Sequence, residues 1–155
     1  MSVSEDPRER RLVLRLLDYW RDLSGERDMP AIADVDGVAM SDMWDYCFVL
    51  DLRDGAPRIL HFGAWHAEFY GKDMTGAALS DLTKDTLAER SVRYLDEILR
   101  RRVPVTYGAA ANDPGGRHIL YRSIMMPLSE DGTRITGSWA ARIASLSMIR
   151  QMDRG

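Results

Sequence analysis

His61 and His66 stand five residues apart, with Glu68 close by and His118 further on, and these residue types could together ligate a divalent metal. A strand residue and a residue of the following helical turn need not converge, and no i, i+4 ligand pair is present. A structural role, or a polar lining of an internal cavity, is therefore the better reading of these histidines. Haem requires an axial ligand aimed into a pocket. The longest helix the periodicity predicts has neither His nor Cys, and its Tyr94 sits at core spacing with Leu95 and Ile98. A covalent flavin adduct would need a cysteine beside the ring, but the single cysteine, Cys47, lies mid-strand between Tyr46 and Phe48, where a packing role is the default. Haem and flavin are therefore not expected. Nucleophilic catalysis has little support: there is no Gly-x-Ser-x-Gly, and Ser123 and Ser129 fall in strand and turn contexts. Pro114-Gly115-Gly116 lacks a following Lys-Ser/Thr and reads as a hairpin turn, not a phosphate cradle. The more informative stretch is residues 60–76. Here Gly63, Gly71 and Gly76 let a strand pass into short helices, and Phe62, Trp65, Phe69 and Tyr70 would line the enclosed space.

The elements that would position these residues follow from periodicity. Leu12, Val13, Leu16, Leu17, Trp20 and Leu23 recur at helical spacing between Arg8 and Leu23, with Pro7 at the start and Ser24-Gly25 at the stop. The subset Val13, Leu16, Trp20, Leu23 has a three-four-three rhythm that suits a seam with a second helix. Tyr46, Phe48, Leu50 and Leu52 alternate as a strand, Asp54-Gly55 is a turn, and Arg58 to Ala64 returns. Short helices are expected at Trp65 to Tyr70 and Thr75 to Leu82. A long helix is expected over Asp85 to Arg102, with Leu87, Ser91, Tyr94, Leu95, Ile98 and Leu99 on one face. On its other face lie the pairs Glu89/Arg93, Asp96/Arg100 and Glu97/Arg101. Strands are expected from Val103, over Arg117 to Met126 and over Thr133 to Ala141, with turns at residues 112–116 and at Asp131-Gly132. A short exit helix is expected over Ser145 to Met152. Two strand groups separated by helices imply an α+β fold, one antiparallel sheet with helices packed on it.

The chain has 155 residues, the size of one ordinary domain. Lys+Arg 21 against Asp+Glu 24 leaves a net charge of −3, so there is no basic field to hold nucleic acid. No apolar run approaches the roughly 20 residues of a membrane span, and the N-terminus lacks a signal-peptide core. A cytoplasmic protein without membrane or nucleic-acid partners is the expectation.

Several loose motifs, taken in order, carry a resemblance. Tyr19-Trp20, Leu23, Gly25, Pro30, Asp34 and Asp36 come first. Tyr70-Gly71, Asp73, Thr75-Gly76, Leu79 and Asp81-Leu82 follow, and Pro127-Leu128 with Asp131-Gly132 close the series. The order resembles the PAS fold, in particular the short stand-alone PAS family common in Alphaproteobacteria, over about Leu12 to Ala141. The chain departs from that family at Ile32 and Gly37, and the segment after Gly63 is unusually aromatic. The resemblance implies a PAS-like five-stranded antiparallel sheet with helices on one face and an extra N-terminal helix. It divides the chain into an N-terminal helical extension (1–25), a PAS domain (26–141) and a C-terminal tail (142–155).

By the same resemblance the protein is a sensory or regulatory module and not an enzyme. Its ligand pocket would be drawn from Phe48, His61, Phe62, Trp65, His66, Phe69, Tyr94, Tyr107, Tyr121 and Trp139. A homodimer interface is expected at Val13, Leu16, Trp20 and Leu23. With most of the chain in this core, no kinase, cyclase or DNA-binding segment is expected in the remainder. Output would pass through protein contact with a signalling partner, biased by a small ligand. Two alternatives compete. One is a cone-shaped enzyme of the ketosteroid-isomerase type, using Asp45/Tyr46 or Asp51. That fold places most helices before the sheet, whereas here the longest predicted helix lies between strand groups. The other is a ligand-free dimerisation scaffold.

Overall fold

The computed structural model describes residues 7–84, 86–112, 115–116 and 118–144, with the backbone alone at residues 7–10, 87, 109, 111–112, 118–119 and 143–144. The predicted exit helix at Ser145 to Met152 and part of the turn at 112–116 lie outside the described residues.

The apolar rhythm of the N-terminal segment produces α1 (Pro7–Ser24). Hydrophobic alternation produces β1 (Cys47–Asp51), β2 (Arg58–Phe62), β3 (Val105–Asn112), β4 (His118–Leu128) and β5 (Gly137–Ala144). Between the strand groups lie α2 (Ala64–Tyr70), α3 (Leu87–Val92) and α4 (Leu95–Arg101). All neighbouring strands are antiparallel, in the order β2-β1-β5-β4-β3. The last strand thus inserts at the centre, between β1 and β4. β5 runs to Ala144, so residues 142–144, expected in a C-terminal tail, belong to the sheet.

Both faces of the sheet are covered. α1 lies on one face, where Trp20 donates its indole N–H to the Pro127 carbonyl at 2.9 Å and Tyr19 meets Trp139 edge-on. α2 and α3 lie on the other. This explains β1, whose first four residues are all buried: its two alternating sets are both apolar because each faces a helix layer.

Two expectations are corrected. Val13, Leu16 and Trp20 are buried in the core of their own chain and Leu23 packs against it, so the seam is filled by the chain's own sheet rather than by a second helix. The helix predicted over Asp85 to Arg102 is two helices. It breaks at Arg93-Tyr94, where the N–H groups turn back to the Arg90 and Ser91 carbonyls, and Tyr94 stacks on Tyr107 of β3 with ring centroids 3.8 Å apart. The break changes the phase of the second half, leaving Leu99 46% exposed instead of on the buried face.

Candidate functional site

Strand parity sorts the site. Phe48 and Leu50 of β1 point to the α2–α3 side, as do Phe62 of β2, Tyr107 of β3, Tyr121 and Ser123 of β4, and Ser138, Ala140 and Arg142 of β5. Entry of α2 onto this face depends on Gly63. A Cβ at that position would stand 2.2 Å from the Asp45 carbonyl oxygen and 2.7 Å from that of Cys47. Its own N–H donates to the Cys47 carbonyl at 2.9 Å.

One half of the site is apolar. Phe48, Leu50, Ile59, Phe62, Leu79, Leu82, Ala88 and Val92 surround a cavity of about 10 Å³, room for about one water molecule. His66 of α2 is buried beside it, edge-on to Phe48 with ring centroids 5.2 Å apart and 5.6 Å from Phe62. Its Nε2 lies 2.9 Å from the Tyr46 carbonyl, which fixes the tautomer protonated at Nε2. Burial pushes its pKa down to about 3, with the Arg142 charge adding to the effect, so the imidazole is neutral.

The other half is polar. Tyr107, Ser123 and Arg142 form one row across β3, β4 and β5. Arg142, 2% exposed, donates from Nε to Ser123 Oγ at 3.1 Å and from Nη2 to Ser91 Oγ of α3. Its guanidinium carbon lies 5.5 Å from the centre of the Tyr121 ring. Nη1 and Ser138 Oγ have no hydrogen-bond partner, and the buried Tyr107 hydroxyl stands beside Ser123 and Arg142 without a well-formed bond to either. Burial pulls the Arg142 pKa down while Tyr107 and Tyr121 act against it, and a guanidinium remains charged under such shifts. Burial raises the Tyr107 phenol, opposed by the neighbouring Arg142. Trp65 stacks on Phe69, and both meet Tyr121 edge-on, closing the row's outer end.

Eight of the ten expected pocket residues are brought together: Phe48, Phe62 and His66 in or beside the apolar half, and Trp65, Phe69, Tyr94, Tyr107 and Tyr121 around the polar one. His61 and Trp139 are not. His61 pairs with Val49 on the α1 side, stacks on Trp44 and bonds the Trp44 carbonyl at 3.0 Å. Trp139 also faces α1, its indole N–H 3.4 Å from Cys47 Sγ. Both miss the site because the parity of their strands turns them away. Sequence reasoning missed Ser91, Ser123 and Arg142 as site residues. The available signal was that Ser138, Ala140 and Arg142 alternate inward, which puts an arginine on an otherwise buried face.

Several chemistries fall away on this geometry. His61 and His66 bond different carbonyls on opposite sides of the sheet, and among the described residues no three His, Cys, Asp or Glu side chains could hold a metal. The His118 side chain lies outside the described residues. Cys47 faces α1 and burial pushes its thiol up to about 12, so no cysteine of this chain stands where a flavin adduct on the α2–α3 side would form. Asp51 is held by Arg53, whose guanidinium keeps the carboxyl below its ordinary range, and Asp45 is exposed. Neither is the buried base an isomerase would need.

The sequence profile of the PAS domain matches residues 9–140. No curated protein sequence matches the chain. Among solved structures, the chain is similar to a light-oxygen-voltage domain studied with a flavin analogue, at 10% identity and TM-score 0.51, covering 76% of this chain and 89% of that one. It is also similar to VqmA bound to DPO, at 13% identity and TM-score 0.51, covering 64% of this chain and 52% of that one. The Vibrio cholerae VqmA dimer gives 11% identity and TM-score 0.50, covering 66% and 46%. The chain thus spans about half of the VqmA chains, and these likenesses are likenesses of fold. With the profile spanning nearly every described element, the chain belongs to the PAS domain family, whose members are typically sensory and signalling modules and generally not enzymes.

Proposed function

We propose that this domain is a cytoplasmic sensor whose ligand seat lies between the sheet and α2–α3, and that occupancy is passed on through contact with a signalling protein or a second copy. The observation that carries this reading is the set of buried polar atoms without well-formed hydrogen bonds on the sheet face that holds a small apolar cavity. A sheet face that served packing alone would have no use for Tyr107 OH, Ser138 Oγ and Arg142 Nη1 left unsatisfied, because each such group costs about 1–3 kcal/mol. PAS domains often mediate protein–protein contact and dimerisation, and the similarly folded VqmA is described as a dimer and as bound to DPO, which supports both halves of the proposal.

Native mass spectrometry of freshly purified protein tests it. A retained small molecule is expected as added mass that is lost under denaturing conditions. One observation favours a second reading, a ligand-free scaffold: the cavity of about 10 Å³ holds no more than a water. Uniformly bare protein that also binds none of the probes described below supports the scaffold.

A further inference from the structure

We propose that the seat takes an organic monocarboxylate, its carboxylate paired with Arg142 and its apolar body lying along α3. This inference rests on the ligand-seat reading above and names the class of ligand.

A buried guanidinium without an anion is costly, and proteins ordinarily pair it. Among the described residues the groups that meet Arg142 are two serine hydroxyls, the Tyr107 hydroxyl and the Tyr121 ring, and none is an acid. The serines occupy Nε and one hydrogen of Nη2, leaving Nη1 and the Nη1/Nη2 edge for a further acceptor. That edge matches the two oxygens of a carboxylate. The Tyr107 hydroxyl, in the same row and beside Ser123 and Arg142 without a well-formed bond to either, supplies another donor next to it.

Charge also limits the ligand. His66, which feels the Arg142 charge, is neutral and adds no second positive charge to the seat. One positive charge balances a monoanion, whereas a phosphate dianion would keep an uncompensated charge in a buried site. The lining then sets the body. Ser91 holds Arg142, and Ala88 and Val92, three residues before and one after it on the same short helix, face the apolar cavity with Phe48 and Phe62. A ligand with its head at Arg142 therefore meets apolar side chains along α3. A body longer than a methyl group or two requires α3 to move off the sheet, so that binding displaces the helix joined to α4 and its exposed surface.

Thermal shift and calorimetry with sodium octanoate and sodium phenylacetate test this, against 1-octanol, 2-phenylethanol and inorganic phosphate, on wild type, Arg142→Met and Tyr107→Phe. The acids are expected to bind wild type about tenfold or more tighter than the matched alcohols. Arg142→Met should abolish that preference while remaining at least as heat-stable as wild type without probe, because it removes a buried charge that has no acid partner. Tyr107→Phe should weaken the acids a few-fold and leave the alcohols unchanged. Alcohols binding as tightly as the acids, phosphate outcompeting both acids, or undiminished acid binding by Tyr107→Phe and Arg142→Met would each overturn the carboxylate assignment while leaving a ligand seat in place. Failure of every probe together with bare purified protein would overturn the seat itself. The wild-type comparison of acid with alcohol decides even if Arg142→Met does not fold.

Discussion

His66 enters the core on α2 as a neutral imidazole, with a pKa near 3 in the folded chain against an ordinary value of 6.5. Between these two values the unfolded chain takes up a proton that the folded chain refuses. Stability is therefore complete above about pH 6.5 and falls as the pH drops toward 3. Each pH unit in that window is worth about 1.4 kcal/mol, so roughly 2 kcal/mol should be lost by pH 5. The depressed carboxylates Asp34, Asp51 and Asp131 act in a lower range, below their ordinary value of 3.8. Urea unfolding at pH 7 and pH 5 checks the assignment. Wild type should lose stability across the interval and His66→Gln should not, and a flat wild-type response would remove it. The sequence marks His66 as a cavity residue, but its charge state follows from desolvation, which needs the packed neighbours to be in place.

The turn-forming motifs act as fasteners at the scale of elements. Thr75 bonds Asp73 through both its N–H and its hydroxyl, and it receives the Phe62 N–H, while Gly76, at φ 88°, donates to Ile59. Asp131 accepts the Thr133 and Arg134 N–H groups, and Asp34 ties Ala31 to Arg27. These could be read locally because each is a side chain closing its own turn. The division of the 85–102 helix could not. The pairs Glu89–Arg93 and Glu97–Arg101 both form, one on each side of the break, so they would look the same in one continuous helix. What splits it is the stacking of Tyr94 on Tyr107, a residue of another element. α4 ends at exposed Arg102 with φ 62°, its N–H on the Ile98 carbonyl at 2.8 Å. A non-glycine residue in this region costs about 1 kcal/mol relative to glycine, so Arg102→Gly should raise stability by about that much, or a few degrees in melting temperature. A fall instead would show that the arginine side chain itself contributes.

For the whole molecule, α1 is part of the domain core. Leu16 has no exposed surface, and Trp20 is hydrogen-bonded to β4. Leu16→Glu buries a carboxylate beneath α1 and should destabilise the protomer by about 3 kcal/mol or more. Thermal unfolding with small-angle scattering separates this from loss of an assembly, because a folded variant of full stability and reduced mass would return Leu16 to an intermolecular seam. On its outer side α1 exposes Leu14. Its C-terminal half borders an open groove of about 710 Å³ with Asp28, Met29 and residues 101–104. Among the described residues no helix is long and apolar enough to cross a membrane.

By itself the sequence determined the class of fold, the strand groups, the turns and most of the aromatic lining, because periodicity and turn chemistry are local properties written over a few residues. Only the tertiary structure decided that β5 enters the middle of the sheet. That entry carries Arg142, a residue expected beyond the domain's end, into the row with Ser123 and Tyr107 and under Ser91 of α3. Strand register turned His61 and Trp139 away, and the packing of α1 gave its apolar face to its own sheet. A buried charge acquires its meaning from residues tens of positions away, and only strand order and register bring them together.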